Sequence, residues 1–162
     1  MNDVMFRLAG IDPHVELARV VAKRADILDL TEKTHDAALL PADPGGLSHG
    51  MRAAIGCRIA RLNRDDAFLA HFEQLLDRAG ASEAVRRFAD LAFAGDDAAT
   101  RAMIRHADMV AANPKAATGA DIEALREAGV SEPDIVRLSE LVAFISYQIR
   151  VVSGLRLMGR VA

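Results

Sequence analysis

Residues 47–72 read LSHGMRAAIGCRIARLNRDDAFLAHF, and the reading of this stretch decides the fold. Met51, Ile55, Ile59 and Leu62 recur at spacings of three and four, which makes one apolar stripe on a helix. Ala53, Gly56, Cys57 and Ala60 form a second stripe of small residues, against which another helix can approach closely. A helix apolar on one side and small on the other is expected to be buried on both. Ser48 or a neighbour starts it, and it runs to about Leu62. A second helix is expected from about Asp66 to Arg78, stopping before Gly80. Asp65 and Asp66 stand at its start, where adjacent acids complement the helix dipole.

The same period continues outward. Upstream, IDPHVELARVVAKRADIL (11–28) places Asp12 as an N-cap and Pro13 at the first helical position, where its missing N–H costs nothing. Val15, Leu17, Val20, Val21 and Leu28 are its apolar positions. ALLPADPGGLS (38–48) is the clearest break, with two prolines and a Gly-Gly pair. Downstream, Ser82 caps a helix expected to reach about Ala94, and Gly95-Asp96-Asp97 opens another to about Ala112. Asn113-Pro114 ends that one, because the residue before proline avoids helical angles. Thr118 and Asp121 have the spacing of a capping box, and Gly129 suits a left-handed helix stop. Ser131 with Asp134 repeats the device and launches the longest helix, about 132–156. Its stripe is Leu138, Leu141, Val142, Ile145, Ile149 and Val152. No strand-like alternation, repeat or low-complexity tract interrupts the pattern, so the fold class is all-α in a single domain.

The totals agree. A chain of 162 residues suits one domain with a real core. Hydrophobic residues make up 51% and charged residues 27%, an ordinary globular balance. Aromatics are 4% and Trp is absent, so the core is built from Ala, Leu, Val and Ile, which favours close-packed helices. A net charge of −3 with both signs dispersed argues against a nucleic-acid surface. No run of about 18 uninterrupted apolar residues is present, so no membrane association is expected. The first ten residues carry an early acid and no apolar core, unlike a signal peptide. One cysteine makes no internal disulfide, and a cytoplasmic location is the expectation.

Two segments together resemble the alkyl hydroperoxidase D-like, or carboxymuconolactone decarboxylase-like, family, in particular its peroxidase-related branch. The first is GGLSHGMRAAIGCRIARLNRDDAFLAHF (45–72). The second is TGADIEALREAGVSEPDIVRLSELVAFISYQIRVVSGL (118–155), an acidic-led short helix, a glycine turn, then a long helix ending in Tyr147, Arg150, Gly154 and Leu155. The resemblance implies a helical bundle of the hydroperoxidase D-like type over 1–162. It would comprise an N-terminal helical segment (1–40), an active-site-like helix pair (47–79) and C-terminal helices (82–156). It also implies a homo-oligomer: dimer, trimer or hexamer.

Active members of that family carry a Glu, then twelve residues later a Cys-x-x-Cys pair, then a His four residues past the second Cys. One thiolate attacks the peroxide, the second resolves the sulfenic acid, and Glu and His move the proton. Aligned on Leu47-Ser48, the Arg52–Ile55 run and Asn63, the Glu position falls on Ala53 and the Cys positions on Asp65 and Phe68. The His position falls on Phe72, immediately after His71. All four are changed, and Cys57 lies eight residues too early to be the displaced motif cysteine.

The candidate site residues are therefore Cys57, His71 and Asp65, each with a plainer reading. Cys57, beside Arg58 and Arg61, is a one-cysteine peroxidatic thiol or a small hydrophobe in a helix contact. His71 is a general base, a metal ligand or a polar residue at a helix boundary. Asp65 with Asp66 is an acid–base pair or a helix start. Arg150 is expected to pair with an acid at a helix end. His14, His35, His49 and His106 are dispersed, with no metal-ligand spacing, and no cofactor or metal motif is read. Three functions follow: a redox-inactive relative that binds a small molecule or a partner, a single-cysteine peroxidase-related oxidoreductase using Cys57, and a non-redox decarboxylase-like enzyme using His71.

Overall fold

The computed structural model describes residues 4–161; residues 1–3 of the expected 1–40 segment lie outside the described residues. Among the described residues nine α-helices follow in order: α1 Val4–Ala9, α2 Glu16–Ala22, α3 Ala25–Leu39, α4 His49–Asn63, α5 Asp66–Arg78, α6 Glu83–Arg86, α7 Ala98–Ala112, α8 Gly119–Glu127 and α9 Glu132–Val161. Short 3-10 turns follow α6 and α7, at Arg87–Ala89 and Pro114–Ala116. No strand occurs among the described residues, so the fold is all-α.

The two-faced character of α4 places it at the centre, packed against α3, α5, α7 and α9. Residues 52–60 are all buried, small stripe and apolar stripe alike, while Leu62 emerges at the surface. Ser48 Oγ accepts from the Met51 backbone N–H (3.2 Å), capping the helix. The helix stops at Arg64, which takes a left-handed conformation at φ 54°. Asp65 N–H then bonds back to the Ala60 carbonyl (3.0 Å), closing the turn. Asp65 Oδ1 caps α5 through the Phe68 N–H (3.1 Å), so α4 and α5 form a tight helical hairpin. Gly56 sits under the Phe72 ring, where an added Cβ would lie 2.7 Å from ring carbons.

The helix expected to open at Gly95-Asp96-Asp97 begins at Ala98 with Asp97 as its cap, the Thr118–Asp121 capping box is present, and Gly129 is left-handed at φ 85°. α9 runs 30 residues and carries its whole expected stripe into the core. By length and composition the stretch Glu132–Arg160 passes as a membrane span, yet its apolar side is the one that packs on α3, α4 and α7.

Two expected elements differ. The Asp12–Leu28 helix is broken in two. Asp12 Oδ1 accepts from the His14 N–H (2.8 Å), holding a turn through Pro13, and α2 begins only at Glu16 after the uncapped Val15. The helix after Ser82 stops at Arg86 rather than near Ala94. Segment 88–93 wraps the buried Arg58 guanidinium, whose Nη1 donates to the carbonyls of Phe88 (3.5 Å), Asp90 (2.5 Å) and Phe93 (3.2 Å). A continuing helix would use those carbonyls internally. The opposite edge of Arg58 donates to both oxygens of Asp108 on α7 (2.6 and 2.7 Å).

Candidate functional site

The α4–α5 hairpin holds the four positions at which the resemblance places the Glu, the two Cys and the His, and all four are buried: Ala53, Asp65, Phe68 and Phe72. Phe68 and Phe72 stack with centroids 5.8 Å apart, filling with ring the space beside the two motif positions. Asp65 caps α5 and also binds Arg156 of α9 through both oxygens (2.6 and 3.1 Å). Arg156 further donates to the Leu8 carbonyl (2.7 Å), so the Asp65 carboxylate has its lone pairs engaged by helix end and guanidinium. Arg150, expected to make an acid pair, is exposed with no ion pair among the described residues; Arg156, six residues later, makes that pair instead.

Cys57 is fully buried in the α4 interior. Burial pushes its thiol up to about 12, outweighing the opposing field of Arg61. It lines a cleft of about 700 Å³ without exposing any surface there. Four charges of that cleft form two ion pairs, Arg61 with Glu73 (3.1 Å) and Arg86 with Asp77 (2.8 Å), and Asp90 also lines it, its carboxylate accepting from the Ala92 N–H (2.9 Å).

His71 is not at a helix boundary. It is buried in the middle of α5, and His35, from α3, comes to meet it. The Nε2 atoms of the two rings are 3.0 Å apart. On the far side of His35, Nδ1 is 3.0 Å from Gln148 Oε1 of α9. On the far side of His71, Nδ1 is 3.1 Å from Arg7 Nη2 of α1. Burial holds His71 down to about 3, with the fields of His35, Arg7 and Arg78 acting in the same direction. The convergence left no mark in the sequence, since His35 and His71 lie 36 residues apart.

The other histidines stand apart. His49 Nε2 donates to the Pro41 carbonyl (2.9 Å), and His14 is exposed. His106 on α7 is buried, its acidity raised by burial. Its Nε2 lies 3.0 Å from Ser139 Oγ, while its Nδ1 has no hydrogen-bond partner among the described residues. No group of three or more His, Cys, Asp or Glu side chains converges to hold a metal among the described residues.

A second cleft, of about 720 Å³, lies between α3, the 41–43 loop and α9. Its walls are mostly apolar, from Ala37, Ala38, Leu141, Phe144 and Tyr147. Arg52 lines it but gives its donors to the carbonyls of Leu47 (2.9 Å), Ala38 (2.8 Å) and Pro44 (3.0 Å). Arg137 at the mouth is paired with Asp134 (3.0 Å) and Asp43 (3.5 Å). No composition or spacing signal marked this cleft, because its walls come from residues about a hundred positions apart.

The arrangement defines an all-α protein whose central helical hairpin buries Ala53, Asp65, Phe68 and Phe72. No protein-family model matches the chain, and no curated protein matches it. Among solved structures, the chain is similar to an uncharacterized peroxidase-related protein from Silicibacter sp. TM1040, with a TM-score of 0.67 and 20% identity. The likeness covers 80% of this chain and 68% of that one, and at this identity it shows a shared fold.

Proposed function

We propose that this chain is a redox-inactive relative within the hydroperoxidase D-like fold and acts by binding a small neutral, largely apolar molecule. The observation that carries the first half is Cys57. It is the chain's one thiol, it is fully buried, and its ionisation is pushed up to about 12. The thiolate is the nucleophile in peroxide reduction, so a thiol held protonated and out of reach does not serve as one. Consumption of an organic hydroperoxide with a dithiol reductant, on wild type beside Cys57→Ser, tests this. Equal, background-level consumption is expected; turnover that vanishes in the variant would establish a one-cysteine peroxidase instead. Cys57 should also react slowly with a thiol reagent in the native protein and rapidly once unfolded.

The α3–α9 cleft supports the second half. Its volume falls in the range of small-molecule sites, its walls are mostly apolar, and its two cations, Arg52 and Arg137, are balanced in number by Asp43 and Glu140, which leaves no net charge to attract an ion. Tyr147 is the chain's single tyrosine, and Trp is absent, so intrinsic fluorescence reports directly on this cleft. A neutral probe, N-phenyl-1-naphthylamine, is expected to quench that emission saturably, with affinity falling about tenfold in Phe144→Ala as buried apolar area is lost. Linear, non-saturating quenching would remove the binding reading.

A homo-oligomer in the cytoplasm accompanies this proposal. Leu157, Met158 and Val136 are exposed along α9, which supports self-association. A monomer by light scattering at micromolar concentration would remove that part.

A further inference from the structure

We infer that α1 is an acid-released plug, held over the core by a closed ring of hydrogen bonds that tolerates no added proton. The ring begins and ends on α1. It passes from Arg7 to His71 of α5, to His35 of α3, to Gln148 of α9, and back to Met5. Its direction is set by chemistry. A guanidinium only donates, so His71 Nδ1 accepts and the His71 proton sits on Nε2. That proton is donated to His35 Nε2, which leaves His35 protonated on Nδ1 and donating to Gln148 Oε1. The Gln148 amide then donates to Met5 Sδ at 3.7 Å. Each contact has one donor and one acceptor, and both rings are neutral.

One more proton breaks this order wherever it lands. On His71 it sets an N–H against Arg7. On His35 it sets two N–H groups face to face across 3.0 Å, unless His71 shifts its own proton to Nδ1 and again confronts Arg7. Both conflicts are relieved when α1 withdraws Arg7. The surroundings do not rescue the imidazolium. Arg7 from α1, His35 from α3 and Arg78 on α5 itself all oppose it. From α9 the ring meets the uncharged Gln148, while Arg156 there is occupied by Asp65. From α4 the hairpin presents Gly56 beneath Phe72 and, farther along, Arg61 bound to Glu73. Glu32 of α3 accepts from the Val4 N–H (2.9 Å) on α1.

Withdrawing α1 removes Arg7 and part of the burial that holds His71 near 3, so the released state binds a proton more readily than the docked one. The release equilibrium therefore grows as pH falls below the ordinary histidine value of 6.5, by at most about tenfold per pH unit for one proton. What release uncovers is the His35–His71 pair together with the apolar bed of Val4, Met5 and Leu8.

The test is amide hydrogen exchange by mass spectrometry on the full chain from pH 7.5 to 4.5, corrected for intrinsic rates, with wild type beside His71→Gln. Glutamine preserves the donor–acceptor order without titrating. Wild-type protection in 4–9 is expected to fall below pH 6.5, by up to about tenfold per unit, while α4 stays protected, and the variant is expected to be flat. A flat wild type, loss of α1 and α4 together, or the same slope in the variant overturns the proposal; the last would assign release to Glu32 or Asp65. Nitrogen-15 imidazole spectra of the wild type decide independently of how the variant folds. A bare Nδ1 on His71 at pH 7, with protonation coinciding with α1 release, is expected. Ordinary titration near 6.5 with α1 still docked overturns it.

Discussion

His35 Nε2 and His71 Nε2 lie 3.0 Å apart, buried, with their rings tilted 40° to each other. A single shared proton joins α3 to α5 there. Because both rings are neutral in the fold, the pair makes global stability depend on pH. His71 falls from 6.5 in the unfolded chain to about 3 in the fold. Its contribution is complete above pH 6.5, is lost as pH falls from 6.5 toward 3, and changes no further below that. The loss runs at about 1.4 kcal/mol per pH unit for one proton. Urea midpoints between pH 7.5 and 4.5 are expected to decline in wild type more steeply than in His71→Gln.

Arg58 organises a turn that has no helix of its own. Its guanidinium binds three carbonyls of segment 88–93 and the Asp108 carboxylate. Arg58→Leu leaves those acceptors facing an apolar side chain and is expected to cost about 3–5 kcal/mol by urea denaturation. A loss under about 1 kcal/mol would mean that the turn finds other donors.

Gly56 faces the Phe72 ring so closely that a Cβ would lie 2.7 Å from two ring carbons. Gly56→Ala is expected to destabilise by about 1–3 kcal/mol through overpacking, despite alanine's better helix propensity. Phe72→Leu in the same chain should recover part of that loss. Additive losses in a double-mutant cycle would show that the contact is not the cause.

Arg156 ties α9 to the start of α5 through Asp65 and to the end of α1 through the Leu8 carbonyl. Its partner Asp65 is nearly inaccessible, whereas Arg156 itself is partly exposed. Arg156→Leu is expected to cost about 2–4 kcal/mol, below the full effect of a buried pair because solvent reaches the guanidinium. Exchange protection in 4–9 should fall at every pH, unlike the acid-specific loss expected through His71.

What the amino-acid order determined by itself is local. Ser48, Asp97, Thr118 with Asp121, and Gly129 mark helix ends, because a cap acts over three or four residues. The two stripes of α4 and the single stripe of α9 place both helices in the core, because helical period maps directly onto face. The same local order put Cys57 in a close helix contact and separated it from the family's motif positions.

Tertiary structure decided what joins distant residues. The helix after Ser82 ends early because Arg58, about thirty residues upstream, takes the carbonyls that would continue it. Asp65 binds Arg156 across 91 residues, while the better-patterned Arg150 stays exposed. His35 and His71 meet only because α3 and α5 converge with α9 beneath α1. No spacing encodes these meetings, because the direction of a long polar side chain at a helix crossing depends on packing that is complete only in the folded chain.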